Sequence, residues 1–76
     1  MDKVDLTQIN QGETAVVVDI RAGYGLSRRL ESMGIKPGVM ITKVSSQLMR
    51  GPITVQVGNS RIAIGFGMAK KIIVNI

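Results

Sequence analysis

The strongest constraint on the fold is a pair of alternating apolar runs on either side of Gly58-Asn59. Apolar residues alternate with polar ones over positions 53–57, and Ile62 and Ile64 continue the apolar face beyond the dipeptide. A two-residue tip between two such runs is typical of a β-hairpin. Nine Val and ten Ile against four Leu favour strands elsewhere too, because Cβ-branched side chains pack well on a pleated sheet. The sequence therefore predicts a mostly β protein.

Three further strands are predicted from the rest of the apolar pattern. Residues 14–21 alternate so that Val16, Val18 and Ile20 share one face. Residues 39–46 are apolar on both faces, which indicates either burial on both sides or a β-bulge. The last strand lies at residues 72–76, and the opening of the chain is predicted to be turn-rich rather than a strand.

One short helix is predicted between the first two of these strands. Leu26, Leu30 and Met33 have the i, i+4, i+7 spacing of one helical stripe, and Gly34 follows where a helix commonly ends. Residues 65–71 are long enough for a single helical turn before the last strand. About five antiparallel strands with these two helical pieces predict a small SH3-like β-barrel, in which closure of the sheet removes its edges, as one domain over residues 1–76.

The residue inventory argues against catalysis. The chain of 76 residues has no Cys and no His, so it offers neither a thiol nucleophile nor an imidazole base, and it lacks the usual transition-metal ligands. Its five carboxylates show no spacing that suggests acid–base work. We therefore expect no catalytic, cofactor or metal site.

Net charge and the absence of long apolar runs bear on location and partners. The formal net charge of +5 favours an acidic partner, and no apolar run approaches the ~20 residues that span a bilayer. We expect a cytoplasmic protein without a signal peptide and without membrane insertion. Nucleic acid is the rival partner, but the chain has only two aromatic side chains, Tyr24 and Phe66, on which bases could stack.

The segment Leu48-Met49-Arg50 is the most informative loop. Two large apolar side chains precede a charge and Gly51-Pro52. Such a segment either folds back on the barrel or forms an adhesive surface for another protein.

The chain resembles the ferrous iron transport protein A (FeoA) family over nearly its whole length. The resemblance rests on Arg-Leu-x-x-Met-Gly-Ile-x-Pro-Gly at residues 29–38, on Gly51-Pro52 before the hairpin, and on Met-Ala-x-x-Ile-x-Val at residues 68–74. Gly65-Phe66-Gly67 departs from the charged residues that many relatives carry there. The family label includes transition-metal binding, for which this chain, without His or Cys, offers no high-affinity site.

The resemblance implies a cytosolic accessory protein that binds and modulates a membrane Fe²⁺ transporter, through its cytosolic GTPase domain or its membrane-proximal face. An iron-responsive regulatory module and a nucleic-acid-binding barrel remain the alternatives. SH3-type barrels bind partners between their long loops, so the partner surface is predicted to carry Tyr24, Arg28, Leu48, Met49 and Arg50. Flat apolar strands could also allow weak self-association.

Overall fold

Six strands form one antiparallel sheet in the computed structural model, which describes residues 2–46 and 50–76. The strands are β1 (Lys3–Asp5), β2 (Thr14–Ile20), β3 (Met40–Ser46), β4 (Ile53–Val57), β5 (Ser60–Ile64) and β6 (Ile72–Asn75). The helices are α1 (Tyr24–Ser32) and α2 (Phe66–Ala69), and a 3-10 helix spans Leu6–Gln8. The predicted mostly β architecture is confirmed, with one strand more than expected.

The sheet order is β1-β6-β2-β3-β4-β5, so that β1 and β5 are its two edges. Within the described part of the chain the sheet curves around the core without a hydrogen-bonded pairing that joins these edges. The expected closure by strand pairing is therefore not seen there. Bulges in β2 and β3 supply curvature instead, because an extra residue bends a strand and increases its twist.

The additional strand, β1, lies in the segment that was expected to be turn-rich. It pairs with β6, with Lys3 opposite Asn75 and Val4 opposite Val74. Only three residues long and charged at both ends, β1 lacks the alternation that identifies a longer strand. Its pairing partner lies at the other end of the chain, which no local pattern reveals.

A capping box holds the 3-10 helix that follows β1. The Asp5 carboxylate accepts the backbone N–H of Thr7 at 2.9 Å, and the Gln8 side-chain oxygen accepts the N–H of Asp5 at 2.9 Å. This turn directs Leu6 and Ile9 into the core, where they are 0% and 3% exposed.

A bulge in β2 changes which residues face the core. Val17 pairs with Val74 and Ile20 pairs with Ile72, so Val17 and Ile20 lie on the same, inner face. Val16 lies on the outer face and is 37% exposed. The prediction that Val16, Val18 and Ile20 share one face is wrong, because the register shift between Val17 and Asp19 interrupts the alternation.

The predicted helix is confirmed: α1 buries Leu30, and Gly34 follows it with φ of 89°. Met33, expected on the same apolar stripe, is instead 37% exposed, because the helix ends at Ser32 and the helical spacing no longer places it on the core side. Gly38 has φ of 95° in a turn closed by a 3.2 Å hydrogen bond from Val39 N to Lys36 O.

In β3 the bulge lies between Lys43 and Ser45. The β4–β5 hairpin turns at residues 58–59, and Gly58 has φ of 58°. The core lies beneath the sheet and includes Leu6, Val17, Leu30, Ile35, Ile41, Val55, Ile64, Ala69, Ile72 and Val74.

Candidate partner-binding surface

The first turn of α1 presents an exposed aromatic side chain held by an arginine. Tyr24 and Arg28 are four residues apart on the helix, so they lie on the same face. The Arg28 guanidinium donates to the Tyr24 hydroxyl at 3.0 Å, and its central carbon lies 5.4 Å from the ring centroid. Tyr24 is nevertheless 76% exposed. The pair is thus a preorganised aromatic–cationic feature that faces solvent.

A second aromatic–cationic pair joins Arg50 to Phe66, the first residue of α2. The central guanidinium carbon of Arg50 lies 5.9 Å from the ring centroid of Phe66. Phe66 is half-buried and packs against the core. Arg50 has φ of 63°, a backbone conformation that non-glycine residues rarely adopt.

Among the described residues, the predicted partner residues therefore fall into two separate places: Tyr24 pairs with Arg28, and Arg50 pairs with Phe66. No hydrogen bond, ion pair or ring contact joins Tyr24 and Arg28 to Arg50 within residues 2–46 and 50–76. Leu48 and Met49 lie outside the described residues. The assignment of all five residues to one surface stays a prediction.

A shallow groove of about 210 Å³ lies at the β1 edge of the sheet and reaches onto β6. Three cations line it from three separate parts of the chain: Lys3 on β1, Arg21 directly after β2 and Lys70 after α2. Arg21 makes an ion pair with Asp19 at 3.8 Å, but both side chains are more than half exposed, so the pair contributes little to stability. With three cations and one carboxylate, Asp5, the lining of the groove has a net positive charge.

The other groove residues are two polar and two apolar side chains. The single carboxylate, Asp5, already accepts the N–H of Thr7 in the capping box. The oxygen of the Gln8 carboxamide accepts the N–H of Asp5, which leaves its NH₂ group able to donate to a ligand. Val4 and Ile73 supply aliphatic surface.

Sequence patterns missed this groove. Lys70 stands out as part of a Lys-Lys pair, whereas neither Lys3 nor Arg21 belongs to a recognisable motif. Only the pairing of β6 between β1 and β2 brings the three cations together.

An exposed apolar pair continues from the groove across the outer face of the sheet. Met40 lies opposite Val16, Val16 opposite Asn75, and Asn75 opposite Lys3. Met40 is 62% exposed and Val16 is 37% exposed. These four residues, one on each of four neighbouring strands, form a row that has the apolar Met40 at one end and the cationic Lys3 at the other.

Lys43 is a buried cation with a structural role. It is 6% exposed, and its Nζ donates to the backbone carbonyls of Ile9 at 2.8 Å and Thr7 at 3.2 Å. Its own backbone bonds Gly12 and Glu13 at 2.6 and 3.0 Å. Lys43 therefore holds the 7–13 segment against β3. Its position two residues after Ile41, on the inward side of β3, is the only sequence signal for this burial.

The described residues also bear on metal binding and membrane insertion. No three His, Cys, Asp or Glu residues within 2–46 and 50–76 come together as a set that could hold a metal ion. In the same residues, no helix has the length and apolarity needed to cross a bilayer.

Comparison with known proteins is consistent along the whole chain. The FeoA domain model matches residues 4–76. A protein of Methanocaldococcus jannaschii named "Putative Fe(2+) transport protein A" is 42% identical over 64 residues, which are 84% of this chain and 76% of that protein.

Solved structures give the same result. The crystal structure of an iron uptake regulatory protein (FeoA) superposes with a TM-score of 0.87 at 36% identity, and the match covers 99% of this chain and 97% of the other. FeoA of Stenotrophomonas maltophilia in complex with zinc, described as a prokaryotic SH3 domain protein, gives 0.82 at 28% identity over 95% and 89% of the two chains. The predicted SH3-like fold is confirmed. On the family model, the sequence relative and these structures together, this chain belongs to the FeoA domain family.

Proposed function

We propose that this chain is a non-catalytic, cytoplasmic accessory protein of a ferrous iron uptake system. It binds the membrane Fe²⁺ transporter through the transporter's cytosolic GTPase domain and modulates its assembly or nucleotide turnover. The FeoA domain match and the transport protein from M. jannaschii support the link to Fe²⁺ transport. Iron is the cargo of the transporter in this proposal, and this chain acts by contact.

The exposed Tyr24–Arg28 pair carries the proposal of a protein contact. Tyr and Arg are the side chains most enriched among residues that dominate binding energy at protein interfaces. The Tyr24 hydroxyl already accepts a 3.0 Å hydrogen bond from Arg28, so the exposed tyrosine has less rotamer freedom to lose on binding. We therefore assign the first turn of α1 to the partner contact, together with the 47–52 loop and its Arg50.

The direct test is a titration of this chain against the cytosolic GTPase domain of the ferrous iron transporter from the same organism. Tyr24→Ala and Arg28→Ala are expected to weaken binding by about tenfold each, which corresponds to ~1.4 kcal/mol. Arg29→Ala is the matched control, because Arg29 is also exposed on α1 and, among the described residues, lies over no aromatic ring. Equal affinity of all four proteins would overturn the site assignment.

The loop contribution is tested separately by the Leu48→Asp, Met49→Asp double variant. We expect the folded double variant to lose binding, because two apolar contact residues become charged. Wild-type affinity in this variant would remove the 47–52 loop from the surface. Retention of the wild type on an oligonucleotide column at moderate salt, without binding to the transporter domain, would instead support the nucleic-acid alternative.

A further inference from the structure

The groove at the β1–β6 edge and the Val16–Met40 pair form one continuous surface, and we propose that it binds an acidic peptide segment of a protein partner. The segment would place carboxylates among Lys3, Arg21 and Lys70 and an aliphatic side chain on Val16 and Met40. This surface is separate from the Tyr24–Arg28 pair, and the inference does not depend on the transporter proposed above.

Charge complementarity identifies carboxylates as the ligand groups. Three cations from three elements line the groove, against one lining carboxylate, Asp5, and Asp19, which pairs with Arg21, so the groove keeps a net positive charge. The Gln8 NH₂ group adds a neutral donor whose orientation is held by the 2.9 Å bond from Asp5 N to the Gln8 oxygen. Neither Lys3 nor Lys70 has a salt-bridge partner in the described part of the chain. A peptide carboxylate can therefore be met by several donors at once.

The apolar part of the surface favours a peptide over a phosphate backbone. Ile73 and Val4 line the groove, and the row Lys3–Asn75–Val16–Met40 leads away from it across four strands. A nucleic-acid backbone offers sugars and phosphodiesters, whereas a peptide can cover the exposed Val16 and Met40 with a large aliphatic side chain such as leucine.

The strand spacing sets the register of the expected peptide. Neighbouring strands lie about 4.8 Å apart, so Met40 and Lys3 are separated by roughly 14 Å. An extended chain advances about 3.3 Å per residue, and this distance corresponds to about four residues. The recognised segment therefore has an aliphatic residue about four positions away from its acidic residues.

Fluorescence anisotropy with a synthetic peptide tests the inference. The probe carries two leucines, two serines and three glutamates in that order, and its matched peptides replace the glutamates by glutamine or the leucines by serine. We expect the wild-type chain to bind the probe at least about tenfold more tightly than either matched peptide. Equal binding of the glutamate and glutamine peptides would overturn the proposal.

Charge-reversal variants test the position of the site. Arg21→Glu combined with Lys70→Glu is expected to weaken probe binding by about tenfold or more. Lys36→Glu combined with Arg61→Glu makes the same change in net charge at exposed positions outside the groove, and should change binding less than about threefold. Equal weakening by both double variants would show that only net charge matters and would contradict the inference.

Two further measurements keep the result decisive. Amide chemical-shift changes in the wild-type chain, which need no variant, should be concentrated in β1, β6 and the start of β3 when the probe is added; changes confined to α1 would overturn the assignment. Single-stranded oligonucleotide and phosphatidylserine vesicles serve as competing anions. One of these anions would be the better candidate ligand if it bound more tightly than the probe and if the Arg21→Glu, Lys70→Glu variant lost that binding. Such a result would contradict the assignment to an acidic peptide.

Discussion

The Nζ atom of Lys43 donates a hydrogen bond to the carbonyl oxygen of Ile9 at 2.8 Å, although the two residues are 34 positions apart. A second bond, to the carbonyl of Thr7, has a length of 3.2 Å. The lysine is 6% exposed, so its aliphatic stem packs within the protein while its head ties the 7–13 segment to β3.

Replacing Lys43 should therefore destabilise the fold. We expect Lys43→Met, which keeps the apolar stem, to lower the free energy of unfolding by ~1–3 kcal/mol, because two carbonyl groups lose their donor. Urea denaturation measures this loss, and hydrogen exchange should show faster opening of residues 7–13. The exposed Lys36→Met serves as the control and should stay within ~0.5 kcal/mol of the wild type. A Lys43→Met protein as stable as this control would contradict the role given to Lys43.

The turn before β3 depends on a glycine in the left-handed region. Gly38 has φ of 95°, and its N–H donates to the carbonyl of Val17 at 2.7 Å, so the backbone cannot easily relax. Nothing lies within 4 Å of a Cβ added there, so the cost of Gly38→Ala comes from φ alone. We expect a loss of ~1–2 kcal/mol in thermal or urea unfolding.

Gly25→Ala should act in the opposite direction. Gly25 lies in α1, has no positive φ, and has open space around an added Cβ. Alanine is the better helix former, by about 1 kcal/mol in a helix interior and by less in the first turn, where Gly25 lies, so a small gain in stability is expected. Destabilisation of similar size by both glycine variants would show that backbone conformation is not the deciding factor.

Arg50 adopts φ of 63° immediately before Gly51-Pro52. Asparagine tolerates this conformation, whereas the Cβ-branched valine is strongly disfavoured in it. We expect Arg50→Asn to change the free energy of unfolding by no more than ~1 kcal/mol, the size of the lost contact with Phe66, and Arg50→Val to lose ~1–2 kcal/mol more. Equal stability of the two variants, measured by urea denaturation, would argue against the strained backbone.

Local features of the fold were predictable because they depend on neighbouring residues. The α1 stripe around Leu30, the positive φ of Gly34 and the two-residue tip at Gly58-Asn59 all follow from spacing and turn chemistry. For β3, whose two faces are both apolar, the sequence left burial on both sides and a bulge as alternatives, and the register shift between Lys43 and Ser45 is the second of them.

Features that depend on distant pairing were not predictable. The strand at Lys3–Asp5 exists because β6, from the end of the chain, lies beside it. The register shift after Val17 moves Ile20 to the inner face, and alternation alone cannot place such an inserted residue. The groove that Lys3, Arg21 and Lys70 share arises from the same pairing, so its residues are far apart in the sequence.

The candidate partner surface was predictable only in part. The i, i+4 spacing places Tyr24 beside Arg28, and the structure has the guanidinium 5.4 Å from the ring centroid. The contact between Arg50 and Phe66 joins residues that are far apart in the sequence, so no local pattern predicted it.

Uptake of radioactive Fe²⁺ by cells that lack this chain tests the central claim most directly. The account predicts altered uptake in those cells, restored by the wild-type chain and by Arg29→Ala but not by the Tyr24→Ala, Arg28→Ala double variant at equal protein level. Uptake that is unchanged by loss of the chain, or fully restored by the double variant, would contradict it.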